Sequence, residues 1–104
     1  MYGIDLDKPV TTLMARDALI ECFWQAHCSD TGLNRDDQIS EKEYIKQIII
    51  KAFVNTGGDF DNPDKKSILK AMDFLKDFAK NFRDQKIIQK HQEEMMKIID
   101  KITE

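Results

Sequence analysis

The residue types able to do chemistry are few in this chain, and they are scattered. Cys22, His27, Cys28 and His91 supply every thiol and imidazole in the 104 residues. No C-x-x-C or H-x-x-x-H pair occurs among them, so a structural zinc site has no sequence support. Cys22 and Cys28 fall in one predicted helix, six residues and roughly 9 Å apart, too far for a disulfide. Cys28 would close that helix, where the helix dipole disfavours a thiolate nucleophile. The expectation is therefore two inert, half-buried or buried thiols. Arg16 and His27 stand out more. On a helical wheel they share an otherwise apolar side of the first helix, beside Ile20 and Phe23. A guanidinium there needs a carboxylate partner, an escape to the bundle's end, or an anion. With Trp24, the two could form a small pocket for a carboxylate or phosphate. His91 falls in an apolar seam of the last helix, where it reads as a satisfied interior histidine or a pH-sensitive contact.

The stretch Gly32–Glu43, "GLNRDDQISEKE", has oxygen-bearing side chains at spacings that calcium loops use. Asn34, Asp36 and Glu43 stand at positions 3, 5 and 12 of twelve, and Ile39 stands at position 8. Over those residues it resembles an EF-hand loop, which would imply Ca²⁺ held by these side chains between two helices. Gly32 at position 1 removes the first carboxylate, and Asp37 replaces the glycine at position 6. Two carboxylates are too little charge for tight Ca²⁺ binding, and no partner loop exists. Residues 59–70, the only other candidate, put Pro63 at position 5 and Lys70 at position 12. Ser40 and Glu43 also read as a capping box. The favoured reading is a polar connecting loop, with Ca²⁺ not expected and no cofactor implied.

A glycine-rich phosphate loop, a triad spacing and a paired-acid motif are all missing, so catalysis is not expected. Charged residues make up 34% and apolar residues 41%, as in ordinary soluble globular proteins. No apolar run nears the roughly 20 residues that a membrane span needs, and the first residues do not read as a signal peptide. A cytoplasmic location is the expectation. The net charge of −3 divides into −5 over residues 1–62 (eleven acids, six bases) and +2 over residues 63–104 (ten bases, eight acids). Eight Lys and Arg against three acids lie between 65 and 90. Their spacing is that of a solvated helix face without exposed aromatics, which does not point to nucleic acid.

The elements that position these residues read as an all-α, single-domain four-helix up-and-down bundle with a short extended N-terminal arm. Tyr2, Ile4 and Leu6 alternate with polar residues along an arm over 1–11. Thr11 or Thr12 caps a first helix at about 12–28, apolar round most of its circumference and hence central. A second helix is expected at about 40–55, with Ile50 and Val54 on the face away from its main apolar side. Asn62-Pro63 would start a third helix at about 63–81. Asp84 caps a fourth at about 84–103, whose Ile88, His91, Met95, Ile98 and Ile102 form a seam.

This surplus of apolar helix face points to a non-catalytic protein acting through protein–protein contacts, as an adapter or regulatory module. A second copy is among the candidate partners, which makes Ile50, Val54 and His91 interface candidates. The alternative is an ion- or anion-binding module using the 32–43 loop or the Arg16/His27 pocket.

Overall fold

The computed structural model describes residues 1–32 and 39–103, and of Ile39 the backbone alone. Five helical segments follow in order: α1 (Thr12–Thr31), α2 (Ile39–Asn55), α3 (Lys65–Phe74), α4 (Lys76–Ala79) and α5 (Gln85–Asp100). Together α3 and α4 make one interrupted arm, so the chain is a four-helix bundle. Among the described residues there is no strand, only one isolated parallel bridge between Val10 and Ile102.

Local chemistry accounts for most of the helix ends. The Thr11 hydroxyl accepts from Met14 N–H at 3.1 Å and starts α1. Gly32, at φ 73°, ends it in the left-handed region, its N–H returning 2.8 Å to Cys28 O. Asp84 starts α5, accepting from Lys86 and Ile87 N–H. Two expectations need correction. Asp64, not Asn62, caps α3: its carboxylate takes Ser67 N–H at 2.7 Å and Ser67 Oγ takes Asp64 N–H at 3.0 Å. This reciprocal pair satisfies two otherwise unpaired amides and so outcompetes a start at Pro63. Ser40 does not cap α2 either, because it lies in that helix's first turn; Glu43 instead accepts from Gln47 Nε2, one turn on.

The break at Leu75 carries no Gly or Pro signal. Leu75 flattens to ψ −4° while its N–H still reaches Ala71 O. Beyond it Phe78 meets Phe23 (ring centroids 5.8 Å) and Phe82 (5.5 Å), closing an aromatic cluster under α1.

The helices alternate in direction. The segment before α1 pairs with the segment after α5 at Val10 and Ile102. At the other end, the Asp30 carboxylate accepts the N–H groups of Arg83 and Asp84, just before α5. Glu21, halfway along α1, pairs with Lys42, and His27, nearer its end, with Glu41, both partners at the start of α2. Helix α1 is the central one, burying Ala15, Leu19, Cys22, Phe23, Trp24 and Ala26 among others. Around it pack Ile45, Ile49 and Phe53 of α2, Ile68 of α3, Leu75, and Met95 and Ile98 of α5. Among the described residues no polar side chain is buried.

The arm is less extended than its alternation suggests. It folds into two turns, Ile4 N–H to Met1 O (2.9 Å) and Lys8 N–H to Asp5 O (3.2 Å). Tyr2 takes φ 51°, an uncommon left-handed conformation for a bulky residue. Ile4 and Val10 are buried, and Tyr2 and Leu6 pack against the core.

Candidate functional site

Arg16 and His27 do share one side of α1, but eleven residues of helix separate them by roughly 16 Å. Arg16 is not an open anion receptor. Its Nη1 donates to Phe60 O at 2.9 Å, its guanidinium lies 4.7 Å from the centre of the Phe60 ring, and Nη2 pairs with Asp17 at 2.9 Å. These bonds tie α1 to the loop after α2, and only 17% of the side chain remains exposed. His27 stacks on Trp24 (ring centroids 6.1 Å) and sits 3.7 Å from the Glu41 carboxylate. The structure therefore does not assemble the Arg16/Trp24/His27 pocket, because a wheel shows angle and not height along the axis.

Of the calcium-loop candidates, Asn34 and Asp36 lie outside the described residues, and Glu43 is exposed on α2. Among the described residues no three His, Cys, Asp or Glu side chains converge as a metal site. Ile50 is half-buried, whereas Val54 is 64% exposed.

His91 is half-buried and belongs to a polar cluster between the arm, α1 and α5. The Tyr2 hydroxyl lies 2.5 Å from His91 Nδ1 and donates to Glu94 Oε2 at 3.0 Å. The one proton arrangement that serves both contacts is His91 Nδ1–H to Tyr2 O, and Tyr2 O–H to the Glu94 carboxylate. Cys22 Sγ donates to His91 O at 3.3 Å. Burial pushes the Cys22 thiol up to about 12, with the Glu94 charge adding to it and a bond from Tyr2 opposing it. A thiol so far from ionisation is no nucleophile. Burial likewise raises the Tyr2 phenol, helped by Cys22 and Glu94, and lowers His91; for His91 Glu94 opposes the shift and Lys90 adds to it. The cluster fastens the arm to α5.

Elsewhere a groove of about 650 Å³ lies between α3–α4 and α5. Its apolar lining is Leu69, Met72, Ala79 and Met96, with Gln85, Gln89 and Gln92 along the α5 wall. Gln85 is committed, its amide donating to Phe82 O (2.7 Å) and Ala79 O (3.1 Å) at the end of α4. Leu69 and Met96 stay 38% exposed each, large apolar side chains left to water. A second hollow beside it shares Leu69 and Asp73 and adds Phe74, Lys66 and Lys70. Sequence reasoning missed this groove, since the α3 and α5 patterns show apolar faces but not the spacing between two helices.

Comparison with known proteins adds nothing to this geometry. No family model, curated protein or solved structure matches the chain. No described helix is long and apolar enough to cross a membrane.

Proposed function

We propose that the protein is a non-catalytic interaction module whose groove between α3–α4 and α5 receives a helix from another protein or from a second copy. One observation carries this reading: Leu69, Met72 and Met96 line the groove between two helices, and Leu69 and Met96 remain partly open to water. A groove between two helices suits an amphipathic helix, whose apolar face would complete the packing. Methionine suits such a wall because its unbranched thioether adapts to differently shaped anchors.

The test is methyl NMR on Met72 and Met96, with a capped, charge-neutral amphipathic peptide as the probe. Sedimentation equilibrium runs alongside, up to millimolar protein. The expected result is movement of both methyl signals on peptide addition, or a dimer that Met96→Glu dissociates. A strict monomer whose methionine methyls ignore the peptide would overturn the proposal.

A further inference from the structure

The N-terminal arm is joined to the bundle by few polar contacts. Its own backbone bonds turn inward, Ile4 N–H to Met1 O and Lys8 N–H to Asp5 O, and the Met1 ammonium donates back to Ile4 O at 3.3 Å. Among the described residues, every hydrogen bond from residues 1–9 to the helices runs through the Tyr2 hydroxyl, at His91 and Glu94 of α5. No ion pair between described residues ties the arm down either. The rest of its hold is apolar: Ile4 is buried, and Tyr2 and Leu6 pack on the core. Just beyond the arm the chain is fixed, because Val10 is wholly buried and bridges Ile102. The arm can therefore swing about Lys8 and Pro9 without breaking a helix. Seated, it keeps Tyr2 at φ 51°, a conformation that a free chain would leave.

The seat of Tyr2 holds one group whose charge changes near neutral pH. His91 faces Tyr2 from the arm, Cys22 from α1, and Lys90 and Glu94 along α5. Its Nδ1–H already serves the Tyr2 oxygen, so an added proton enters at Nε2. The resulting cation lies beside the Tyr2 ring, centroids 5.8 Å apart, with a like charge at Lys90. Among the described residues Glu94 is the acid facing it, and that carboxylate also accepts the Tyr2 O–H. Burial outweighs the attraction of Glu94, so the neutral ring belongs to the seated arm and the charged ring to an arm that admits water. We infer that residues 1–9 form an acid-released strap, which lies on α1 and α5 while His91 is neutral and lifts when His91 takes up a proton. The helices stay packed, because Ile88, Met95, Ile98 and Ile99 hold α5 without the arm. Lifting uncovers the strip beneath Tyr2 and Ile4, on the flank of α5 away from Gln89, Gln92 and Met96 of the groove. The device does not depend on what the groove receives. The strap's hold is complete above about 6.5, the value of a free imidazole, and is lost as pH falls through the lower value of the seated ring.

NMR on the full chain tests this, followed from about pH 7.5 to about pH 4.5, a range that brackets the free imidazole. The Ile4 methyl and Tyr2 ring signals should move to unstructured values with the same midpoint as the His91 ring, below about 6.5. The methyls of the buried Leu75 and the far-UV spectrum should hold still. H91Q, which cannot titrate in this range, should make the Ile4 signal independent of pH. Tyr2→Phe should loosen Ile4 at neutral pH and, by linkage, return the His91 midpoint towards the free value. An Ile4 signal that ignores the titration of His91 overturns the inference, as does a His91 midpoint at or above that of a free imidazole. Movement of Ile4 and Leu75 together also overturns it, since the whole bundle is then unfolding. A pH-dependent Ile4 signal that survives in H91Q assigns the trigger to another group and sinks the strap as drawn.

Discussion

Replacing Tyr2 with phenylalanine removes one hydroxyl and keeps the ring that stacks 5.8 Å from His91. The backbone of Tyr2 remains left-handed at φ 51°, which costs a non-glycine residue about 1–2 kcal/mol. In the wild type the hydroxyl offsets that cost through Glu94 Oε2 at 3.0 Å and His91 Nδ1 at 2.5 Å. Hydrogen bonds to charged groups contribute about 1.5–3 kcal/mol when well shielded. Tyr2 is only half-buried, so water can replace part of that, and a loss of about 1 kcal/mol is expected. For a domain of this size that corresponds to a fall of about 4–8 °C in Tm. Urea unfolding followed by the fluorescence of the single tryptophan, the buried Trp24, reads the global change. Amide exchange at Ile4, whose N–H reaches Met1 O, separates release of the arm from unfolding of the bundle. Glu94→Gln completes a double-mutant cycle and should couple to Tyr2→Phe. If Y2F leaves both the urea midpoint and the Ile4 exchange rate unchanged, the arm is not held by this cluster.

Three further outcomes follow from the same structure. Burial lowers His91, so its neutral form belongs to the folded state. Its contribution is complete above the unfolded value of about 6.5 and is lost as pH falls through the folded value, and H91Q should abolish that slope in the urea midpoint. A Cβ at Gly58 would lie 3.0 Å from Ser67 Cβ and 3.3 Å from Phe53 Cδ1, so G58A should destabilise by about 1–3 kcal/mol in calorimetry. D64A removes the acceptor for Ser67 N–H, and hydrogen exchange at Ser67 should accelerate while D64S, which restores a cap oxygen, retains protection.

Residues whose roles are local were legible in the sequence, and residues whose roles depend on distance were not. Thr11, Gly32 and Asp84 act on amides or carbonyls within four residues, and a local pattern is enough to find them. At the start of α3 two local solutions competed, and Asp64 with Ser67 prevailed because it satisfies two amides at once. The apolar circumference of α1 marked it as central, and it is. Arg16 and His27 were grouped by angle alone, and three turns of helix keep them apart. The Tyr2 hydroxyl meets His91 across 89 residues, which no periodicity encodes. The groove escaped for a related reason, since Leu69 and Met96 become its walls only once α3 and α5 are held apart.

The central place of α1 has a consequence for how the chain is made. It is made before α5, yet Met95, Ile98 and Ile99, part of its cover, sit on that later helix. At about 5–20 residues per second, the 69 residues between the end of α1 and the end of α5 take several seconds to synthesise. Through that interval a helix apolar on nearly every side has only α2 and then α3 to shelter it. The nascent chain is therefore prone to aggregate until α5 is made, and it is in that interval that a chaperone would find it.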